Sequence, residues 1–139
     1  MSYQSNQNRT ASINLTPIIL VTPSAELYDT LAESTAKTIA NPAKRGVNKA
    51  SQLRGFYDEL VMWEQRLRQA TDIEFNQQLP LIRMINAKVA YAKGRDLVDE
   101  NYFQLIRHCL NQIKDKETLR NCKLFLEAFM GFYKVYGEK

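Results

Sequence analysis

The chain has 139 residues, of which 45% are hydrophobic and 24% charged, with a formal net charge of +4. That length fits one domain, large enough to bury roughly two-thirds of its unfolded surface without a disulfide framework or a structural metal. Only five Gly and four Pro argue against a turn-rich all-β fold, and one His with two Cys exclude metal sites and catalytic triads that need several of either.

In chain order, residues 2–12 are polar and lack any apolar period, which predicts a mobile tail. Ile13 to Val21 forms a short apolar arm, and the sequence leaves open whether it packs on this domain or on a neighbour. Residues 1–22 are therefore set apart from a helical domain spanning 23–139. The best apolar run, Ile18-Ile19-Leu20-Val21, is bracketed by Thr16-Pro17 and Thr22-Pro23 and is too short to span a membrane. Nothing near Met1 combines a basic start with an apolar core, so a cytoplasmic location is expected.

Pro23 suits the first turn of a helix in which Leu27, Leu31 and Ala32 share a face, and Asn41-Pro42 ends it. The linker from Asn41 to Asn48 is basic. A second helix over Lys49–Ala70 carries Leu53, Phe56, Tyr57, Leu60, Val61 and Leu67 at helical spacing, with Glu64 in the middle of the stripe. After a loop around Asp72–Gln78, Pro80 opens a third helix running to Lys93, apolar almost all round and so expected to be central. Asp99 caps a fourth helix with Phe103, Ile106, Leu110 and Ile113 inward. Asp115 caps a fifth, with Leu119, Cys122, Leu126, Phe129, Tyr133 and Tyr136 on one face. The expected fold is all-α, a single compact bundle of about five helices.

The charge is unevenly placed. Lys37, Lys44, Arg45, Lys49 and Arg54 fall in an acid-free window between Glu33 and Asp58, and Arg83, Lys88, Lys93 and Arg95 in a second between Glu74 and Asp96. The two windows hold nine of the nineteen basic residues. Lys88, Tyr91 and Arg95 form one helical stripe able to hold phosphates, with Tyr91 available to a ribose or base. The same residues also fit a solvated face or internal ion pairs.

Catalytic readings are weaker. His108 has neither a partner histidine nor an acid at i+3 or i+4, and adjacent Asp58 and Glu59 diverge on a helix and read as surface charges. Cys109 and Cys122 match no zinc or redox spacing and read as small buried hydrophobes. Glu64 must be paired to be tolerated on an apolar stripe, and Arg83, Lys88 or Lys93 are the expected partners in a structural ion pair. No cofactor is implied. The aromatic row of the fifth helix reads as core, with Phe125 and Phe132 at its edge as candidates for an exposed, partner-facing patch.

Three blocks then carry a resemblance: Gln52-Leu-Arg-Gly-Phe-Tyr-Asp-Glu59, Leu79-Pro-Leu-Ile-Arg-Met-Ile-Asn-Ala-Lys-Val-Ala-Tyr-Ala-Lys-Gly-Arg95 and Phe125-Leu-Glu-Ala-Phe-Met-Gly-Phe-Tyr-Lys134. Over residues 45 to 136 the chain resembles the small subunit of the type III-A (Csm) CRISPR effector complex. The resemblance implies a helical, non-catalytic protein of antiviral defence that stacks with copies of itself beside other subunits. It implies contact with the guide RNA–target RNA duplex through phosphates, without sequence readout and without a membrane. Base pairing supplies the specificity, so basic side chains on a rigid scaffold suffice. Carried onto this sequence, the RNA-binding candidates are Lys49, Arg54, Lys88 and Arg95, then Arg83 and Lys93, with Lys44 and Arg45 on the linker. The rival reading is a helical protein–protein bridging subunit without direct RNA contact. A helix-turn-helix regulator is disfavoured, because the junctions lack the compact turn and reading helix of that motif.

Overall fold

Two acidic caps set the helical register of the C-terminal half. Asp99 accepts a hydrogen bond from Tyr102 N (2.9 Å) and Asp115 one from Thr118 N (2.8 Å), each satisfying an amide that the helix itself leaves unpaired. The computed structural model describes residues 12–139, so the tail expected over 2–12 lies, apart from Ser12, outside the described residues. Among these the helices are α1 (Thr30–Ile39), α2 (Ala50–Leu67), α3 (Asp72–Arg83), α4 (Ile85–Gly94), α5 (Glu100–Asn111) and α6 (Lys116–Tyr136). No strand occurs among the described residues, and the architecture is an all-α bundle.

α6 is the organising element. Its Leu119, Cys122, Phe125, Leu126, Phe129 and Tyr133 are buried, and α1 and α2 both pack along it. Two flanking helices widen the apolar face that a lone helix–helix seam would bury, which is why Phe125 joins the stripe. α4 packs mainly on α5. The third predicted helix is therefore not the central one: Leu81, Met84 and Tyr91 are exposed, the last by 68%.

The segment between residues 71 and 94 also begins differently from its sequence reading. Thr71 accepts from Glu74 N (3.1 Å) while Glu74 accepts from Thr71 N (2.8 Å), a reciprocal capping box that starts α3 at Asp72 in place of a loop. Pro80 lies inside α3. The carbonyl of Asn76, which loses its helical donor to the proline ring, belongs to an exposed residue and is open to water. The helix is interrupted at Met84, giving six helices among the described residues where the apolar pattern shows about five.

The apolar arm packs on its own domain. Ile18 and Leu20 are buried, and side chains of α5 and α6 grip their backbone. Gln112 Nε2 donates to Ile18 O (2.9 Å), Leu20 N donates to Gln112 Oε1 (2.8 Å), and Asn121 Nδ2 donates to Leu20 O (2.9 Å). His108 Nε2 lies 2.7 Å from the same Ile18 oxygen, a contact that requires the Nε2–H form and gives the single histidine a structural task. At the other terminus Glu138 O accepts from Ala50 N (2.6 Å), supplying the acceptor that Lys49, as N-cap of α2, cannot.

Asn48 joins four parts of the chain. It is fully buried at φ 60°, in the left-handed region that asparagine tolerates better than most residues. Its Nδ2 donates to Ile39 O (3.0 Å), its Oδ1 accepts from Asp99 N (3.0 Å), its backbone N donates to Leu97 O (3.0 Å), and Tyr133 OH donates to its carbonyl. The Tyr133 hydroxyl is correspondingly held well above its ordinary pKa, chiefly by burial. Replacing Asn48 by Ala strands a buried carbonyl and a partly buried amide and adds backbone strain, an expected loss of about 2–4 kcal/mol. Asn48→Gly removes the strain alone and is expected to recover about 1 kcal/mol of that loss, both read from urea unfolding midpoints.

Candidate nucleic-acid interface

The Asn48 junction brings the middle of the first acid-free window against the end of the second. The linker that holds Lys44, Arg45 and Lys49 is hydrogen-bonded through Asn48 to the turn after α4, beside Arg95. Lys44 Nζ stands 4.0 Å from Asp96 Oδ1, with both side chains more than 70% exposed, a pair too solvated to contribute much. Arg45, Lys49 and Arg95 are exposed and have no carboxylate within 4 Å among the described residues. The Arg95 guanidinium sits 5.9 Å from the centre of the Tyr91 ring, so charge and an exposed aromatic face are presented side by side.

The remaining candidates are engaged within the chain. Lys88 Nζ binds both oxygens of Glu59 (3.0 and 2.8 Å), tying α4 to α2. Lys93 pairs with Glu100 at 3.2 Å, and its ammonium lies 5.9 Å from the Phe103 ring centre. Arg83 Nη2 donates to Ile113 O (2.9 Å), closing the carbonyl end of the turn after α5. Arg54 is 3.9 Å from Asp58, one helical turn on, and both are exposed. The stripe Lys88–Tyr91–Arg95 is thus present on α4, with its lysine end neutralised and its arginine end free of carboxylate partners.

Glu64 has a different partner from those the sequence suggested. It is 6% exposed and grips Arg68, four residues on, through two bonds: Nη2 to Oε1 at 2.6 Å and Nε to Oε2 at 3.1 Å. Arg83, Lys88 and Lys93 are committed elsewhere, whereas the i, i+4 geometry of α2 delivers Arg68 without any tertiary requirement. The Arg68 hydrogen bond, opposed by burial and aided by the nearby charges of Arg68, Lys123 and Arg120, holds the Glu64 carboxyl below its ordinary range.

Phe125 is no partner-facing residue: it is fully buried, because α1 and α2 cover both flanks of α6. Phe132 is half-buried and packs against the core. Cys109 and Cys122 are free, buried thiols, and Asp58 is an exposed surface charge. The exposed apolar side chains lie elsewhere, with Ile73 and Leu81 on α3 and Met84 at its C-cap.

Sequence reasoning missed the basic residues of α6. A cleft of about 570 Å³ between the first turns of α2 and the last turns of α6 is lined by Arg54, Tyr57, Glu127, Lys134 and Lys139. No local signal points to it, because the cations meet only through the antiparallel pairing of two helices far apart in sequence.

Against known families, residues 24–139 match the model of the family described as Csm2 Type III-A. The chain belongs to the Csm2 family. No curated protein and no solved structure matches it. Csm2 membership makes the chain a small subunit of the type III-A CRISPR complex, in a family of structural subunits, and so gives it the other subunits of that assembly as partners. The match covers α1 to α6 and the six residues leading into α1, more of the chain than the three sequence blocks. Among the described residues no helix is long and apolar enough to cross a membrane.

The Glu64–Arg68 pair yields a test with a defined sign. Because the folded-state pKa of Glu64 is lowered, its stabilisation is present above the ordinary carboxylate range and is lost as pH falls through the lowered value. Glu64→Gln is expected to cost about 1–2 kcal/mol at neutral pH. The gap between variant and parent should close on acidification, as followed by thermal melts across the acid range.

Proposed function

We propose that this Csm2-family chain is a non-catalytic subunit that stacks with copies of itself in the cytoplasmic complex and contacts the guide RNA–target RNA duplex through phosphates. The observation that carries the reading is the meeting of linker and turn at Asn48, which groups Lys44, Arg45, Lys49 and Arg95 at one end of the bundle. Arg45, Lys49 and Arg95 there lack carboxylate partners within 4 Å among the described residues, so phosphates need displace only water and counterions. Exposed Tyr91, under the Arg95 guanidinium, adds a face for a ribose or base. Arg54 extends the positive surface along α2, while Lys88, Lys93 and Arg83 act first as internal braces.

A protein-bridging role is favoured by a separate observation, the exposed Ile73 and Leu81 of α3 and the exposed Met84 at its C-cap. It is compatible with RNA contact at the charge-rich end and takes over the part that buried Phe125 cannot play.

Reconstituted complexes carrying Arg45→Ala, Lys49→Ala or Arg95→Ala are expected to bind the target strand more weakly, each lowering the salt slope of log K by about one unit. Arg83→Ala and Lys88→Ala are expected to lower the melting temperature instead, with the salt slope retained. A reversed pattern in filter-binding titrations overturns the assignment.

A further inference from the structure

The cleft holding Arg54, Lys134 and Lys139 is one end of a longer feature. α2 and α6 run antiparallel, so the last turn of α2 meets the first turns of α6, where a second cleft of about 290 Å³ opens. Its walls carry Arg68, Lys116 and Arg120 over Leu67 and Leu119. From Arg54 to Arg68 the rise along α2 is about 20 Å, so the two clefts sit at opposite ends of one interhelical seam.

The second cleft has an organised cation. Arg68 is held in a two-bond fork by the buried carboxylate of Glu64, which fixes the guanidinium plane at the cleft wall while the side chain stays 60% exposed. Lys116 and Arg120 are one turn apart on α6, exposed, and without a carboxylate within 4 Å among the described residues. Of the carboxylates nearby, Glu64 is spent on Arg68, and Asp115 on the Thr118 amide and hydroxyl (2.8 and 2.7 Å). Glu117 is the one acidic lining residue left open to solvent. Glu127, the acidic residue lining the first cleft, is paired with Lys123 at 3.1 Å.

We propose that the seam between α2 and α6 is a track for a phosphodiester backbone, with Arg54, Lys134 and Lys139 taking phosphate at one end and Arg68, Lys116 and Arg120 at the other. The inference rests on the RNA-binding reading above and adds to it a surface outside the acid-free windows, apart from Arg54. A backbone fits better than a compact acidic ligand because the cations are in two groups about 20 Å apart, a distance one extended polyanion bridges. Arginine forks suit phosphate oxygens, and Glu64 acts as a positioning residue that orients Arg68 without touching the ligand.

The test uses the reconstituted complex with a guide–target RNA duplex, titrated with salt. Lys116→Ala/Arg120→Ala and Lys134→Ala/Lys139→Ala alter only exposed side chains, and each double variant is expected to weaken binding and reduce the salt slope by about two units. Glu64→Gln separates positioning from overall charge. It makes the protein more positive, so tighter binding overturns the fork's role, whereas several-fold weaker binding, with the variant folded by circular dichroism, supports it. If both seam variants bind as the parent does while Lys49→Ala and Arg95→Ala weaken binding, the track falls and the end-face reading stands. If the seam variants weaken binding and the end-face variants do not, the track stands and the end face falls. Poly-glutamate occupying the seam while the duplex leaves it untouched overturns the track in favour of an acidic protein partner.

Discussion

The structure depends on the buried amide of Asn48. A linker between two helices is normally a surface feature, since a buried loop carries backbone groups that need partners. Here one residue supplies them: its side chain bonds the end of α1 and the start of α5, while its backbone bonds the turn after α4 and accepts from the Tyr133 hydroxyl. The left-handed backbone at Asn48 turns the chain into α2, and Asp96 does the same after α4. Two segments with no apolar pattern of their own are thereby locked against each other. The cations they carry inherit that rigidity, and fixed cations lose less freedom on meeting a phosphate than cations on a free loop.

Around this junction the bundle divides into two groups of helices. α6 with α1 and α2 makes one, and α4 leaning on α5 belongs to the other. The division explains where charge is spent. Lys88, Lys93 and Arg83 hold the second group in place through Glu59, Glu100 and the Ile113 carbonyl. Basic residues on the linker, at the turn and along α6 are relieved of that task. A sequence window free of acids therefore marks positive residues but does not say which of them are idle, because the carboxylate partners come from other helices.

What was legible in the sequence follows the range of the interactions. Local ones were readable: the Asp99 and Asp115 caps, the inward face of α6, and the end of α1 before Asn41-Pro42 all rest on neighbours a few residues apart. The family blocks were readable too, and the match over residues 24–139 extends them. Two further local signals stand in the sequence. Thr71 and Glu74 stand in capping-box spacing, overshadowed by Pro80, which is more often a helix start than a tolerated interior residue. Arg68 stands four residues after Glu64, a spacing that pairs the two on one helix before any cation of another helix is needed. Burial of Phe125 and the α2–α6 seam were not legible, since both arise from helices brought together over long sequence separations. Nor was the role of Asn48, because nothing about an asparagine in a basic linker distinguishes a solvated turn from a buried clasp.

The grip on the N-terminal arm has a consequence for how the molecule responds to its surroundings. The side-chain bonds to Ile18 and Leu20 come from Gln112, Asn121 and His108, and the two amides carry no charge. Ionic strength has little purchase on bonds between neutral groups in a buried setting, whereas it acts strongly on solvated cations. Architecture and grip on a polyanion therefore answer to different variables. A descendant of this chain can gain or shed surface lysines to suit another guide or another salinity while the same neutral clasps keep the scaffold's shape.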